Sequence, residues 1–476
     1  MIWIICSIGQ VPDLWSVMQN EGTRSLRADL LRKYDVPTPR YTSYPTVPYW
    51  NDAPVSAQRW EHHVREAFDR TNSTEGISLY LHLPFCEKLC TYCGCNKRIT
   101  KDHRVEEPYI TALIKEWDHY LDLFPQKPRI AELHLGGGTP TFFSAANLDH
   151  LLSVLREGTE RASGAVFSVE VHPNATTADQ LQVMHDHGFR RISVGIQDFA
   201  PNVQFIINRI QTFERTRATF DAARNIGYTS INADLIYGLP LQTAKNIEDT
   251  IEKVNELRPD RIAFYSYAHV PWKSKGQRRY DERDLPSGEV KRNLYELGCS
   301  MLENAGYVQI GMDHFALPGD ELFTSARNGT MHRNFMGYTP RHTELLIGLG
   351  ASSISDTGTA FMQNVKEVEA YEELVMNGSL PILKGHELTD EDVFYRKHIQ
   401  DLMCRDRTSW RFEDRSRFAD AIARLRSMEG DGLVELGDDH IQVLAAGRPF
   451  VRNIAMCLDA RSWASAPATQ LFSRSI

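Results

Sequence analysis

The chain has 476 residues, of which 42% are hydrophobic and 24% charged, with a formal net charge of −9. That is the composition of a folded globular protein long enough for two or three domains, and the acidic excess argues against a broad nucleic-acid-binding surface. No apolar run reaches the roughly 18–20 residues that cross a bilayer.

The chain starts Met1-Ile-Trp-Ile-Ile-Cys6, an apolar run with no basic region before it, and Gly9, Gln10, Pro12 and Asp13 end it at once. Residues 1–27 are therefore expected to be a disordered extension on a cytoplasmic protein. From residue 28 to 384 short β-rich runs alternate with helical patterns. Strands are predicted at residues 78–83, 132–135, 166–171, 191–194, 230–235 and 261–266. Helices are predicted between them at 108–123, 146–157, 177–187, 215–226 and 244–257. Strand and helix in about six alternating units predict an α/β fold, a parallel sheet with helices outside. Right-handed crossovers curl it into a partial or full (β/α) barrel, with ligand sites at the C-terminal ends of the strands.

Past residue 385 the pattern changes. Leu388-Thr-Asp-Glu-Asp392 reads as a capped helix start. Residues 412–428 form a second amphipathic pattern, 432–443 a hairpin around Gly437-Asp-Asp439, and 445–458 a last helix. Residues 385–462 are thus expected to be a small, mostly helical module resembling a winged helix. Its mixed charge suits a cover for the barrel mouth better than a nucleic-acid reader. Residues 463–476 read as a loose tail.

Four of the eight cysteines, Cys6, Cys299, Cys404 and Cys457, are scattered. The others crowd into Cys86-Glu-Lys-Leu-Cys90-Thr-Tyr-Cys93-Gly-Cys95, directly after the first predicted strand. A disulfide scaffold would not bunch its cysteines so, whereas a local cluster suggests metal. Three close thiolates can hold three irons of a cubane and leave the fourth open to a small molecule. Structural zinc is the alternative, but zinc sites usually draw on two separated pairs, and Cys93 and Cys95 stand too close for an unstrained tetrahedron.

Other candidates also follow strands. Gly136-Gly-Gly-Thr-Pro140 lets the backbone approach a ligand, or serves a tight strand-to-helix turn. Glu170 and Asp234 are strand-end carboxylates, fit for a ligand or for a structural pair. Arg209 is either a ligand contact or a solvated helix charge. Tyr92, between two thiols, can stack on an adenine face or shield a cluster from water.

Taken with the segments Pro39-Arg-Tyr-Thr-Ser-Tyr-Pro-Thr46, Gly195-Ile-Gln-Asp-Phe199, Asp234-Leu-Ile-Tyr-Gly-Leu-Pro240, Gly311-Met-Asp-His-Phe315, His332-Arg-Asn-Phe335 and Arg452-Asn-Ile-Ala-Met-Cys-Leu-Asp459, the cysteine spacing is informative. Over residues 28–460 the chain resembles the oxygen-independent coproporphyrinogen III oxidases (coproporphyrinogen dehydrogenases) of the radical S-adenosylmethionine superfamily. The resemblance implies an oxidoreductase with one 4Fe-4S cluster on Cys86, Cys90 and Cys93, and two S-adenosylmethionine molecules. Tyr80, Gly137, Glu170 and Ile354 would touch the first. Tyr92, Gly138, Thr139, Gln197, Arg209, Asp234 and Ala268 would touch or lie near the second. No catalytic side chain is implied beyond the cluster and cofactor. Cys95 is a family marker and not an expected ligand. His172 stands where the family commonly has Asp.

The implied reaction needs one electron from an external carrier of flavodoxin or ferredoxin type. A 5′-deoxyadenosyl radical then takes a β-hydrogen from a propionate of coproporphyrinogen III. Carbon dioxide leaves, an acceptor takes an electron, and a vinyl group remains. Two such events give protoporphyrinogen IX, a step of haem biosynthesis. Arg40, His314 and Arg333 are candidates for holding propionates, or are structural ion pairs. A monomer is expected. The competing reading is a haem-binding or haem-transfer relative on the same fold, against which Cys95 and the segment 39–46 speak.

Overall fold

The computed structural model describes residues 28–50, 55–272, 274–465 and 471–475. The expected N-terminal extension, 1–27, lies outside them. All six predicted strands form: β1 (Ile77–Leu83), β2 (Arg129–Gly137), β3 (Glu160–Val171), β4 (Arg191–Gln197), β5 (Ser230–Tyr237) and β6 (Arg261–Ser266). They lie side by side in chain order, each parallel to the next. Helices Glu106–Leu123, Ala145–Glu157, Ala178–Asp186, Phe213–Ile226 and Ala244–Leu257 connect them. Ser144, Thr177, Thr212 and Thr243 fix four of the helix starts, each side chain accepting from the amide three residues on.

The sheet extends past both ends of this parallel core. Beyond β6 come two short antiparallel strands, β7 (Val308–Gln309) and β8 (His314–Ala316), with β8 next to β6. On the other side β9 (Leu346–Leu349) runs parallel to β1, and β10 (Ile354–Asp356), β11 (Ala360–Asn364) and β12 (Ile382–Glu387) continue antiparallel. The order is β12-β11-β10-β9-β1-β2-β3-β4-β5-β6-β8-β7. The two end strands, β12 and β7, are not paired with each other, so the barrel is partial.

Period-two alternation sorts the parallel strands into two faces. Leu135, Val169, Val194, Leu235 and Phe264 point outward into one core with the helix residues Leu151, Leu181, Phe220 and Ile251. The alternate positions, including His134, Glu170, Ser193 and Asp234, face a shared interior cavity.

A second core holds the C-terminal module together. Helix Asp390–Arg405 starts at Thr389 in a capping box with Asp392. The hairpin Val434–Leu436 with His440–Val443 forms where the turn residues placed it, and Arg407–Ser409, not anticipated, adds a third strand. Residues 412–428 are not one helix: Phe412–Phe418 is a 3-10 segment, and the α-helix runs Ala419–Gly430. Likewise Ala445–Phe450 is 3-10 before helix Val451–Met456, because Pro449 has no N–H for an α-helical bond.

The N-terminal described segment belongs to this second core. Leu30, Leu31, Tyr41 and Tyr44 pack into it. Buried Arg452 donates to the carbonyls of Pro39 (3.1 Å) and Thr38, and Tyr41 donates to Asp459 (3.0 Å). The two ends of the resemblance, 39–46 and 452–459, thus meet in space. The end of the tail is docked and not loose. Thr38 N–H donates to Ser473 (3.0 Å), Ser475 N–H to Val36 (2.9 Å), and Arg452 to the Arg474 carbonyl (3.2 Å). Main-chain groups that pair this way are held in place.

Candidate active site

A cavity of about 530 Å3 lies between the cysteine loop and the inner faces of β2 to β6. Strand β1 delivers the loop. His82 at its end is buried, which lowers its pKa to about 4. The neutral ring meets the Asn96 carbonyl through Nε2 (3.0 Å) and the Tyr80 hydroxyl through Nδ1 (3.0 Å). That relay anchors the far end of the loop to the strand.

The glycine loop after β2 packs on the cysteine loop. Gly138 N–H donates to the Leu83 carbonyl at 2.8 Å, and a Cβ at Gly138 would stand 2.5 Å from the Pro84 oxygen. Gly137 has φ +116°, a conformation that favours glycine. The glycines therefore serve the tight turn, and that turn places Thr139 Oγ1 3.3 Å from Cys86 Sγ.

Cys86, Cys90 and Cys93 all line the cavity, and Cys95 lies beside them. Burial pushes the Cys86 thiol up to about 11. A hydrogen bond from Cys95, with Lys97 nearby, holds the Cys93 thiol below its ordinary range, and Cys95 is correspondingly pushed up. Arg209 spans the site, donating to Cys90 Sγ (3.7 Å) and to the Gly195 carbonyl (2.6 Å). Among the described residues no three His, Cys, Asp or Glu side chains are placed to hold a single metal ion. Three separate thiols on one loop suit a cluster in which each thiolate takes its own iron.

The strand ends supply a polar wall. Glu170 reaches into the cavity, with His134 Nε2 at 3.3 Å from one oxygen. Asp234 accepts from Ser193 (2.8 Å) and Asn232 (2.8 Å), and burial raises its pKa to about 6. Gln197 ends β4 with φ +70°. Arg209 Nε and Asn232 Oδ1 are buried without a hydrogen-bond partner among the described residues. Orphaned donors and acceptors in one cavity, with carboxylates beside them, fit a polar, positively charged organic cofactor better than an empty core.

The comparisons with known proteins agree with this geometry. Residues 80–254 match the Radical SAM superfamily model. Oxygen-independent coproporphyrinogen III oxidase from Salmonella typhimurium is 40% identical over 438 residues, covering 90% of this chain and 94% of that one. The Escherichia coli protein of the same name is 39% identical over 437 residues, with the same coverage. The solved structure of coproporphyrinogen III oxidase (HemN) from Escherichia coli, a radical SAM enzyme, superposes with a TM-score of 0.83 at 38% identity, covering 88% of this chain and 97% of that one. This chain belongs to the oxygen-independent coproporphyrinogen III oxidase family of radical SAM enzymes.

Within that family frame, most expected cofactor contacts lie in the cavity wall: Tyr92, Gly137, Gly138, Thr139, Glu170, Gln197, Arg209 and Asp234. Three lie behind it. Tyr80 stacks on His134 with ring centroids 5.9 Å apart, and His134 is the residue that faces the cavity. The Ala268 carbonyl shares the Gln277 amide with the Tyr92 carbonyl, both at 3.2 Å. Ile354 lies across Gly348 from Tyr80, on the strand after β9. At the position where the resemblance implies Asp, His172 Nδ1 accepts from Asn174 N–H at 3.1 Å and caps the turn Pro173–Ala175. Burial lowers that ring to about 3, so it stays a neutral acceptor and does the turn-capping work of a short carboxylate.

Arg40, His314 and Arg333 converge on one carboxylate. Arg40 meets Asp313 at 3.2 Å, and His314 meets it at 2.7 Å. Against the effect of burial, the bond to His314 and the charges of Arg333 and Arg40 hold Asp313 well below the usual carboxylate range. His314 faces the cavity with Tyr265 and Tyr338. A hairpin, His332–Asn334 with Gly337–Thr339, carries Arg333 and crosses from β8 to β2, where Thr339 donates to Glu132. Residues missed in the sequence are those of the inner face: His134, Ser193 and Asn232. Their signal was present as a polar residue at every second strand position.

Proposed function

We propose that this chain catalyses the oxygen-independent decarboxylation of two propionates of coproporphyrinogen III to vinyl groups, giving protoporphyrinogen IX. The observation that carries the reading is a single cavity that takes in three thiols on one loop together with the polar ends of β2 to β5. The Salmonella and Escherichia coli relatives named for this reaction match nearly the whole chain.

Cys86, Cys90 and Cys93 would hold a 4Fe-4S cluster, with Cys95 left free to hydrogen-bond Cys93. When bound, the cluster and S-adenosylmethionine would supply radical chemistry able to take a hydrogen atom from an unactivated carbon. The chain's residues do the rest. Glu170 faces the cavity as an acceptor for an ammonium or hydroxyl. Tyr92 presents an aromatic face beside the thiols. Gln197 and Asp234 on the neighbouring strands, with Arg209 from the connection after β4, form a second polar group, which supports a second S-adenosylmethionine. The Arg40–His314–Arg333 group offers a cationic site with one carboxylate inside it, suited to the propionates that anchor the substrate. Residues 385–462, fastened through 28–46, would cover the mouth and exclude water. The protein is proposed to work as a cytoplasmic monomer.

The test is anaerobic incubation of the iron-loaded protein with a reductant, S-adenosylmethionine, coproporphyrinogen III and an electron acceptor. Protoporphyrinogen IX and 5′-deoxyadenosine should rise together. Deoxyadenosine without protoporphyrinogen would remove the substrate assignment.

A further inference from the structure

The loop that carries the thiols also forms part of an exposed apolar surface. Leu89, Phe205, Ile210, Leu241 and Trp272 are between 36% and 65% exposed. They come from four stretches of sequence, and hydrogen bonds tie these stretches into one face. Asn208 donates to the Leu89 carbonyl (2.7 Å), and Thr91 N–H to Ile207 (2.9 Å). Asn202 donates to the Leu241 carbonyl (3.3 Å), and Ser274 to the Cys93 carbonyl (3.2 Å). The Arg279 guanidinium lies 5.3 Å over the Phe205 ring. Clustered apolar exposure of this kind marks a contact surface.

Its charge names the partner. Of the four stretches, 86–95, 201–210 and 271–279 contain a single acid, Glu87, in a chain whose net charge is −9; acids return past residue 280 at Asp281, Glu282 and Asp284, where the Asp284 carbonyl accepts from Leu241 N–H (2.8 Å) at the edge of the face. Lys88, Lys275, Arg278 and Arg279 are exposed around the apolar residues. A basic rim on an acidic protein selects an acidic partner and speeds its encounter. The face lies at the right place for electron delivery, since Leu89 is bonded to Cys90 and the Trp272 stretch is bonded to the Cys93 backbone.

We propose that this face docks an acidic one-electron carrier protein. The carrier is oxidised by one electron and the iron–sulfur group on the thiol loop is reduced by one, with no proton or group transferred. The inference rests on the radical chemistry of the proposed function, and it adds the surface through which the electron enters.

The test uses the iron-loaded full chain and purified flavodoxin as the probe. Lys275→Glu, Arg278→Glu and Arg279→Glu are combined in one variant, and Trp272→Ser is a second. Titration calorimetry with oxidised flavodoxin at low ionic strength should show binding that weakens with salt, and at least tenfold weaker binding in the charge variant. Anaerobic cluster reduction by reduced flavodoxin should slow at least tenfold in both variants, while reduction by dithionite stays unchanged. Parent-like binding and reduction in both variants would overturn the proposal. So would equal slowing with both donors, which would place the damage at the cluster. Neither measurement contains a porphyrinogen, so failure of the substrate assignment and failure of the docking face are read separately.

Discussion

The two faces of the parallel strands follow opposite rules. On the outer face Leu135, Val169 and Val194 are 0% exposed and pack on helices, which is where the sheet gains its stability. On the inner face the same strands present His134, Glu170, Ser193 and Asp234, and in the same cavity Arg209 Nε and Asn232 Oδ1 have no hydrogen-bond partner among the described residues. A buried polar wall costs stability unless something completes it. The difference teaches that the fold is secured from outside so that the interior can be kept ready for charged ligands.

Substitutions sharpen that contrast. The largest effect is expected at the thiols. Changing Cys86, Cys90 or Cys93 to Ala should reduce bound iron and the cluster's visible absorption to background and abolish turnover, while far-UV circular dichroism stays native. Full iron in any of the three would break the assignment. On the outer face Leu135→Ala should destabilise the protein by about 2–5 kcal/mol in chemical denaturation. It should leave the cluster of the folded fraction intact.

Asp234→Asn should act in the opposite direction on stability. Burial raises the Asp234 pKa to about 6, above its unfolded value. Its stability contribution is present at low pH and is lost as pH rises through 6, where the carboxylate must ionise in a buried site. Without cofactor, the Asn variant should be about 1–2 kcal/mol more stable near pH 7, and the two proteins should converge below pH 4. The variant should also lose turnover, which an outer-face position would not. Parallel stability curves for the two proteins would contradict the cost assigned to the inner face. At the substrate end, Arg333→Gln should raise the KM for coproporphyrinogen III roughly tenfold, the loss of about one charge-assisted contact. Deoxyadenosine formed without substrate should not change. The smallest effect belongs to Cys95→Ala, which should retain its iron.

The parallel core was legible because each strand is a short β-rich run between helix-forming stretches, and the cysteine spacing marked the first loop. Short elements were harder. β7, β8 and β10 have two or three residues each, too few for a period to show. Pro449 and the segment Phe412–Phe418 broke two expected helices into 3-10 pieces. The docking of residues 471–475 depends on backbone hydrogen bonds, on Arg452 and on the Arg474–Asp35 pair, contacts between segments far apart in the chain that no local pattern records. The convergence of Arg40, His314 and Arg333 on Asp313 joins three distant segments, so residue types suggested the chemistry but not the meeting point. His134, Ser193 and Asn232 are readable only from the alternation along their strands, since none sits in a recognisable motif.

The most direct measurement follows a hydrogen atom through the cavity. Coproporphyrinogen III deuterated at the β-carbons of its propionates would be turned over anaerobically, and the 5′-deoxyadenosine analysed by mass spectrometry. Deuterium in the deoxyadenosine, in proportion to the vinyl groups formed, is the predicted result. Full conversion to protoporphyrinogen IX with unlabelled deoxyadenosine would contradict the account.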